Sequence, residues 1–279
     1  MSAPDALTAL QELAAAATPS SVEPGTLALL VIAALLAGWV DAVVGGGGLI
    51  QLPALVIGLP GAAPVQLLAT NKLASICGTA TSSITYFRRV RPDLRTALPL
   101  AAAAFAGSAL GATLAHFISK EAFTPIILVV LVLVGAYTLL KPSMGRETAL
   151  RFDGRKHTGA AVFIGALVGL YDGVLGPGTG SFFVFALVGI TGYAFIEASA
   201  KAKIANMATN LAALVVFIPA GAVIWHVGLL MGAANVLGGY LGARTAVARG
   251  HGFVRVVFVI VVSAFIIKLS SDLIGQYVL

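Results

Sequence analysis

Residues 28 to 140 of this 279-residue chain recur without a gap as residues 159 to 271, every match displaced by 131 positions. Asp41 returns as Asp172, Gly45 and Gly47 as Gly176 and Gly178, Lys72 as Lys203, and Gly107 and Gly111 as Gly238 and Gly242. Apolar matches between greasy segments arise by chance, whereas an aspartate and a lysine repeated at one fixed offset inside such segments do not. Two hydrophobic copies of one unit are the sequence sign of a secondary transporter with its site between the halves.

The solvent of such a chain follows from its composition. With 59% hydrophobic and 10% charged residues and a mean hydropathy of +1.00, it is too apolar for an ordinary soluble domain. Apolar stretches of roughly 17 to 24 residues, divided by short charged or Gly/Pro-containing breaks, suit helices that cross a hydrocarbon core of about 30 Å. The ten-residue alternation of a transmembrane barrel is absent from the sequence. The formal charge of +6 resides on arginines in short loops rather than on an amphipathic face, which argues for orientation in a bilayer and against nucleic acid as a partner. Cys77 is the single cysteine, so it forms no intrachain disulfide and reads as a packing residue. Residues 1 to 26 form an N-terminal tail whose start lacks the basic region of a secretory signal, and it is expected to be retained.

The fold class expected is an all-α polytopic membrane protein built of two inverted repeats, each a broken-helix or re-entrant pair plus three transmembrane helices. The first repeat, 27 to 140, reads as segments 27 to 44, 49 to 59, 65 to 87, 96 to 117 and 123 to 140, with a glycine run at 45 to 48. A basic linker, 141 to 158, leads to the second repeat, 159 to 279, with segments 159 to 175, 181 to 191, 198 to 220, 228 to 246 and 253 to 271. The short second segment returns the chain to its starting side. Three crossings then follow, so the second repeat starts on the opposite side and runs inverted. The basic clusters Arg88, Arg89, Arg91 and Arg95, and Lys141, Arg146, Arg151, Arg155 and Lys156, belong in the cytoplasm. The inverted arrangement places both there, together with Arg244, Arg249 and Arg255, and leaves the N-terminus and the loop around His226 outside. A parallel arrangement exports the last of these clusters. The expected location is the cell inner (plasma) membrane.

GWVDAVVGGGGLI at 38 to 50 and GLYDGVLGPGTGS at 169 to 181 are the sharpest local signals. Both break a helix at membrane depth, where irregular backbone is tolerated only against protein or a water-filled cavity. The helices that begin there present unpaired N–H groups and a positive dipole end, which makes Gly46, Gly47, Gly48, Gly178, Thr179 and Gly180 candidates for holding an anion. Close packing of helices through small residues is the bland alternative.

Lys72 and Lys203 lie some 5 to 7 residues inside their segments, where a charge facing lipid costs about 2.5 to 3.5 kcal/mol. On helical spacing Lys72, Ser75, Thr79 and Ser82 share one stripe, and Lys203, Asn206 and Asn210 another. Asn71 adds an amide beside Lys72. These lysines face a cavity, snorkel to the interface, or form ion pairs with Asp41 or Asp172. The aspartates in turn fit helix-end caps, lysine partners or proton carriers. Lys201 is expected nearer the membrane surface. The glycines at 107, 111, 238 and 242 have the small-xxx-small spacing of close helix contacts. The four histidines are scattered, and no cofactor, metal-ligand spacing or catalytic grouping is legible, so the chain does not read as an enzyme.

As a set, the paired glycine motifs with Asp41 and Asp172, ATNKLASICGTATSSITYF at 69 to 87 with AKAKIANMATNLAALVVF at 200 to 217, and the paired glycines resemble the TauE/SafE family of sulfite exporter-like membrane proteins. The resemblance spans nearly all of 28 to 271 and implies an inner-membrane carrier of sulfur-containing anions such as sulfite, sulfoacetate or other organosulfonates. The halves differ in two respects: four glycines stand against Gly-Pro-Gly-Thr-Gly, and Ser75 against Asn206. The leading expectation is alternating-access export of a small anion, open to coupling with protons or other ions. A passive anion channel and a non-transporting membrane scaffold are the competing classes.

Overall fold

The computed structural model describes residues 22 to 115 and 147 to 278. Among them every regular element is helical: Pro24–Val44 (α1), Gly48–Gly58 (α2), Pro64–Val90 (α3), Leu94–Leu114 (α4), Gly154–Val174 (α5), Thr179–Ala186 (α6) continued by a π-helical turn over Leu187–Thr191, and Phe195–Phe217 (α7). The last helix, Trp225–Val278, is broken at Gly250 (φ 73°, ψ −168°) into one arm before it, α8, and one after it, α9. The segment expected at 123 to 140 lies outside the described residues.

Several helices start earlier than the apolar stretches that announce them, because polar residues ahead of the stretch do the capping. Pro64 stands at the start of α3, and the Gln66 carboxamide accepts from the Ala63 N–H at 3.0 Å. Asp93 opens α4 by accepting from the Arg95 N–H (3.0 Å) and the Thr96 hydroxyl (2.7 Å). Arg91 ends α3 in the left-handed region (φ 51°), directly before Pro92.

α1, α4 and α5 are each 21 residues long and apolar enough to cross a bilayer; at 1.5 Å per residue that is about 31 Å. The distribution of side chains is inside-out relative to a water-soluble protein. Lys72, Lys203 and Asp172 are at most 2% exposed, while Ile32, Leu98, Phe163 and Leu237 are between 57 and 63% exposed. Only a solvent as apolar as leucine makes that arrangement favourable, since buried charge must be paired and exposed aliphatic surface in water is costly. The chain is a multi-pass helical membrane protein.

Contacts between the halves are reciprocal. α4 packs on α5, and α8 packs on α1, the same two positions of the unit with the halves exchanged. In detail, a Cβ on Gly107 would press on the Ala166 carbonyl oxygen at 2.4 Å, and one on Gly238 would press on the Leu35 carbonyl oxygen at 2.1 Å. Leu35 and Ala166 are themselves 131 positions apart. Glycine is needed at both places because the helix backbones meet there. Thr79 and Asn210, equivalent positions of the two halves, touch each other directly, the Asn210 amide reaching the Thr79 hydroxyl at 3.4 Å.

Candidate functional site

Each half supplies one interrupted helix, and the two interruptions meet. α1 ends at Gly45, which takes the left-handed conformation (φ 86°) and donates its N–H to the Asp41 carbonyl at 2.7 Å. The Gly45 carbonyl then accepts from the Ser181 N–H of α6 (3.1 Å), and the Ser181 hydroxyl donates to the Val44 carbonyl (2.7 Å). A Cβ on Gly45 would fall 2.1 Å from the Gly180 carbonyl carbon, so these backbones pass at a distance only glycine permits. In the second half Tyr171 donates its hydroxyl to the Pro177 carbonyl at 2.6 Å and closes the turn between α5 and α6.

A small, partly open polar cavity lies at this junction, among Asp41, Lys72, Ser75, Asp172, Asn206 and Asn210 on its walls, with Asn71 beside them. Gly45, Gly48, Gly176, Gly178, Thr179 and Gly180 complete it. The first turns of α2 and α6 therefore border the space, and of their leading N–H groups those of Leu49, Ile50 and Ser181 are already donated to the Gly46, Gly47 and Gly45 carbonyls.

The lysines and aspartates pair across the halves. Lys72 of α3 donates to Asp172 Oδ2 of α5 at 2.6 Å, and Lys203 of α7 donates to Asp41 Oδ2 of α1 at 2.9 Å. The pairs are alike in kind but not in setting. Lys203 also donates to the Asp41 main-chain carbonyl and stands behind Asp41, whereas Lys72 and Asp172 both face the cavity. Asp172 Oδ2 additionally receives the Ser108 hydroxyl of α4 (3.4 Å), which is shared with the Thr209 carbonyl (2.9 Å). Asn71 Oδ1 is buried with no hydrogen-bond partner, leaving an unfilled acceptor where nearly all buried polar atoms are paired.

Of the residues expected from sequence, Gly48, Asn71, Lys72, Ser75, Gly178, Thr179, Gly180, Asn206 and Asn210 come together on one cavity, as do Asp41 and Asp172. Gly46, Gly47, Thr79 and Lys203 do not line it. Gly47 backs onto α1, where a Cβ would meet the Ala37 carbonyl oxygen at 2.5 Å. Thr79 turns its hydroxyl to its own helix at the Ser75 carbonyl (2.9 Å), and Lys203 is drawn behind the wall by the double acceptor on Asp41. Lys201 is buried in the protein, with its ammonium 3.9 Å from the centre of the Tyr193 ring and within the field of Glu197 and Asp93. The ring face and the two carboxylates supply what lipid headgroups would otherwise provide.

Sequence reasoning missed a supporting layer. Gln51 donates to the Asn71 carbonyl (3.1 Å) and accepts from Asn235 (2.5 Å), fixing α3 against α2 and α8. Both are amides inside apolar stretches, a signal available in the sequence. Ser108 gave less warning, since it reads as one more small residue between Gly107 and Gly111. A second, wider cavity touches Asp93, Arg95, Asp153, Arg155, His157 and Tyr193. Its two arginines are matched by two aspartates, so it offers no comparable concentration of anion donors.

The family model described as "Sulfite exporter TauE/SafE" matches residues 30–269. A Sinorhizobium protein named "Probable membrane transporter protein ORF9" is 39% identical over 252 residues, covering 88% of this chain and 93% of its own length. The Escherichia coli K12 "Probable membrane transporter protein YfcA" is 35% identical over 260 residues (92% and 94%). A Haemophilus influenzae "Probable membrane transporter protein" is 35% identical over 251 (88% and 95%). No solved structure matches.

Proposed function

This chain belongs to the sulfite exporter TauE/SafE family of membrane transporters, and on that premise we propose that it is a secondary transporter of a small sulfur-containing oxyanion, sulfite or an organosulfonate such as sulfoacetate. The supporting observation is the crossed ion-pair cavity between the broken helices. Three buried charges and a part-buried fourth are a poor way to hold a scaffold together, because apolar residues of the same volume serve as well or better. They make sense where a charged guest must be received. A sulfonate presents three oxygens to donors from several directions, and the Lys72 ammonium, the amides of Asn206 and Asn210, and the first turns of α2 and α6 surround the space in that way.

A carrier explains the cavity better than a channel does. The Gly45–Gly180 contact joins the breaks from opposite halves at the cavity wall, and a seam at the site is what alternating access needs, whereas a channel needs a continuous path. The two-fold exchange of contacts is read as an inverted repeat with its axis in the membrane plane, since that arrangement keeps the basic segments 88 to 95 and 141 to 158 on the cytoplasmic side of an inner membrane and the N-terminus outside. Outward transport belongs to this reading, and the word exporter in the family's description supports it.

Counterflow in proteoliposomes tests the reading. Vesicles loaded with unlabelled sulfite or methanesulfonate are expected to accumulate the labelled anion transiently from outside. Flux without counterflow assigns a channel, and no flux with either anion assigns a scaffold.

A further inference from the structure

The cavity is electrically neutral as built, and that constrains how an anion enters it. Two ammonium groups, Lys72 and Lys203, stand against two carboxylates, Asp172 and Asp41, at 2.6 and 2.9 Å. An anion arriving beside two ionised carboxylates gains little from a lysine already neutralised by one of them, and in a poorly solvated site the repulsion is weakly screened. Either a cation accompanies the anion or one carboxylate gives up its charge.

The geometry distinguishes the carboxylates. Asp41 is clamped by Lys203 at both its side chain and its carbonyl, and Lys203 is withdrawn from the cavity. Asp172 is held by Lys72 through Oδ2, and both partners face the cavity. The groups around Asp172 are Lys72 on α3, Tyr171 beside it with its hydroxyl already given to the Pro177 carbonyl, the Ser108 hydroxyl on α4, and across the cavity Asp41 of α1 with Lys203 of α7. Lys72 is the cation that faces both this carboxylate and the cavity.

Building on the transport reading, we propose that Asp172 takes up one proton when an anion binds, so that Lys72 exchanges its carboxylate partner for the anion and the two ligands travel together. The step balances: a solvent proton adds to an oxygen of the Asp172 carboxylate, the Lys72–Asp172 ion pair becomes a Lys72–anion pair, and the site gains no net charge. A monoanion carried with one proton moves no charge across the membrane. The asymmetry of the halves acquires a meaning here: the Lys203–Asp41 pair is the fixed copy and the Lys72–Asp172 pair the working one.

The full-length chain, purified in detergent, is titrated calorimetrically with methanesulfonate, a strong-acid monoanion that brings no proton of its own. Bis-Tris and Tris, both cationic and so unable to compete for an anion site, are used at one pH. The difference in heat between them is expected to report uptake of about one proton per anion. Affinity should fall by about tenfold per pH unit as pH rises through the range in which one proton is taken up per anion. Asp172→Asn is expected to bind the anion with no proton uptake and no pH slope. If that variant does not fold, infrared difference spectra of the unmodified protein serve instead, where a protonated-carboxyl band should appear on adding the anion and persist in Asp41→Asn. Binding without proton uptake, uptake that survives in Asp172→Asn, or no carboxyl band overturns the coupling but leaves the anion site standing. No binding of methanesulfonate or sulfite overturns the site reading and the coupling with it.

Discussion

Lys203 and Lys72 share one origin in the repeated sequence but hold their aspartates differently, and the difference predicts different phenotypes. Removing one member of a buried pair leaves an uncompensated charge, which costs about 3 to 5 kcal/mol, while removing both is close to neutral. Lys203→Met should therefore lose thermal stability, and Lys203→Met with Asp41→Asn should regain it, anion binding included, because Lys203 stands behind the cavity wall and the Asp41 carboxylate, though on that wall, offers an anion no donor. Lys72→Met with Asp172→Asn should regain stability without regaining affinity. The loss of a charge-assisted hydrogen bond from Lys72 is worth about 1.5 to 3 kcal/mol, or one to two powers of ten in dissociation constant. Thermal unfolding and calorimetry on the three variants and the parental protein check this, and equal rescue of binding by both double variants would remove Lys72 from recognition. The sequence carried the identity of these residues but not their partners. Asp41 and Lys72 lie in one half at helical positions that allowed a local pair, and only the packing of α3 on α5's half and α7 on α1's half decides that the pairs cross.

At the level of helices, the repeated glycines divide into those that shape the junction and those that let helices approach. Gly107 and Gly238 belong to the second kind, with carbonyl oxygens of α5 and α1 where their side chains would be. Gly107→Leu and Gly238→Leu are expected to prevent assembly of a monodisperse protein in detergent, since the intruding side chain meets backbone rather than a movable group. Gly61→Ala, with nothing within 4 Å of the added carbon, should leave the elution profile and melting temperature unchanged. Gly45→Ala should prevent closure of the junction, because both its φ of 86° and the approach of Gly180 exclude a side chain. Size-exclusion chromatography of the four variants decides, and a normal profile for Gly107→Leu and Gly238→Leu would contradict the packing. The order of the helices and the position of both breaks were legible from apolar length and glycine clustering. Their starting points were less so, since Asp93 and Gln66 act through the ends of α4 and α3 and leave no trace in hydropathy.

For the molecule as a whole, charge outside the helices and charge inside them carry separate information. The arginines of 88 to 95 report orientation, and single cysteines placed at Arg91 or Arg151 in a Cys77→Ala background are expected to react with an impermeant reagent only from the cytoplasmic side. Reaction from outside intact cells would reverse the orientation. That the chain is a duplicated membrane protein could be read from the offset alone. That its halves meet with Thr79 against Asn210 could not, because a repeat states what is alike and not which surfaces touch. The crossed pairing also bears on biosynthesis. A ribosome that has completed only the first half has delivered Asp41 and Lys72 to the bilayer before either partner has been translated. The early product therefore waits, half-neutralised, for the late one. A stop codon placed between the halves should yield a fragment that pulse-chase labelling shows to be cleared within minutes to hours by membrane proteases, and supplying the second half as a separate polypeptide should prolong its life.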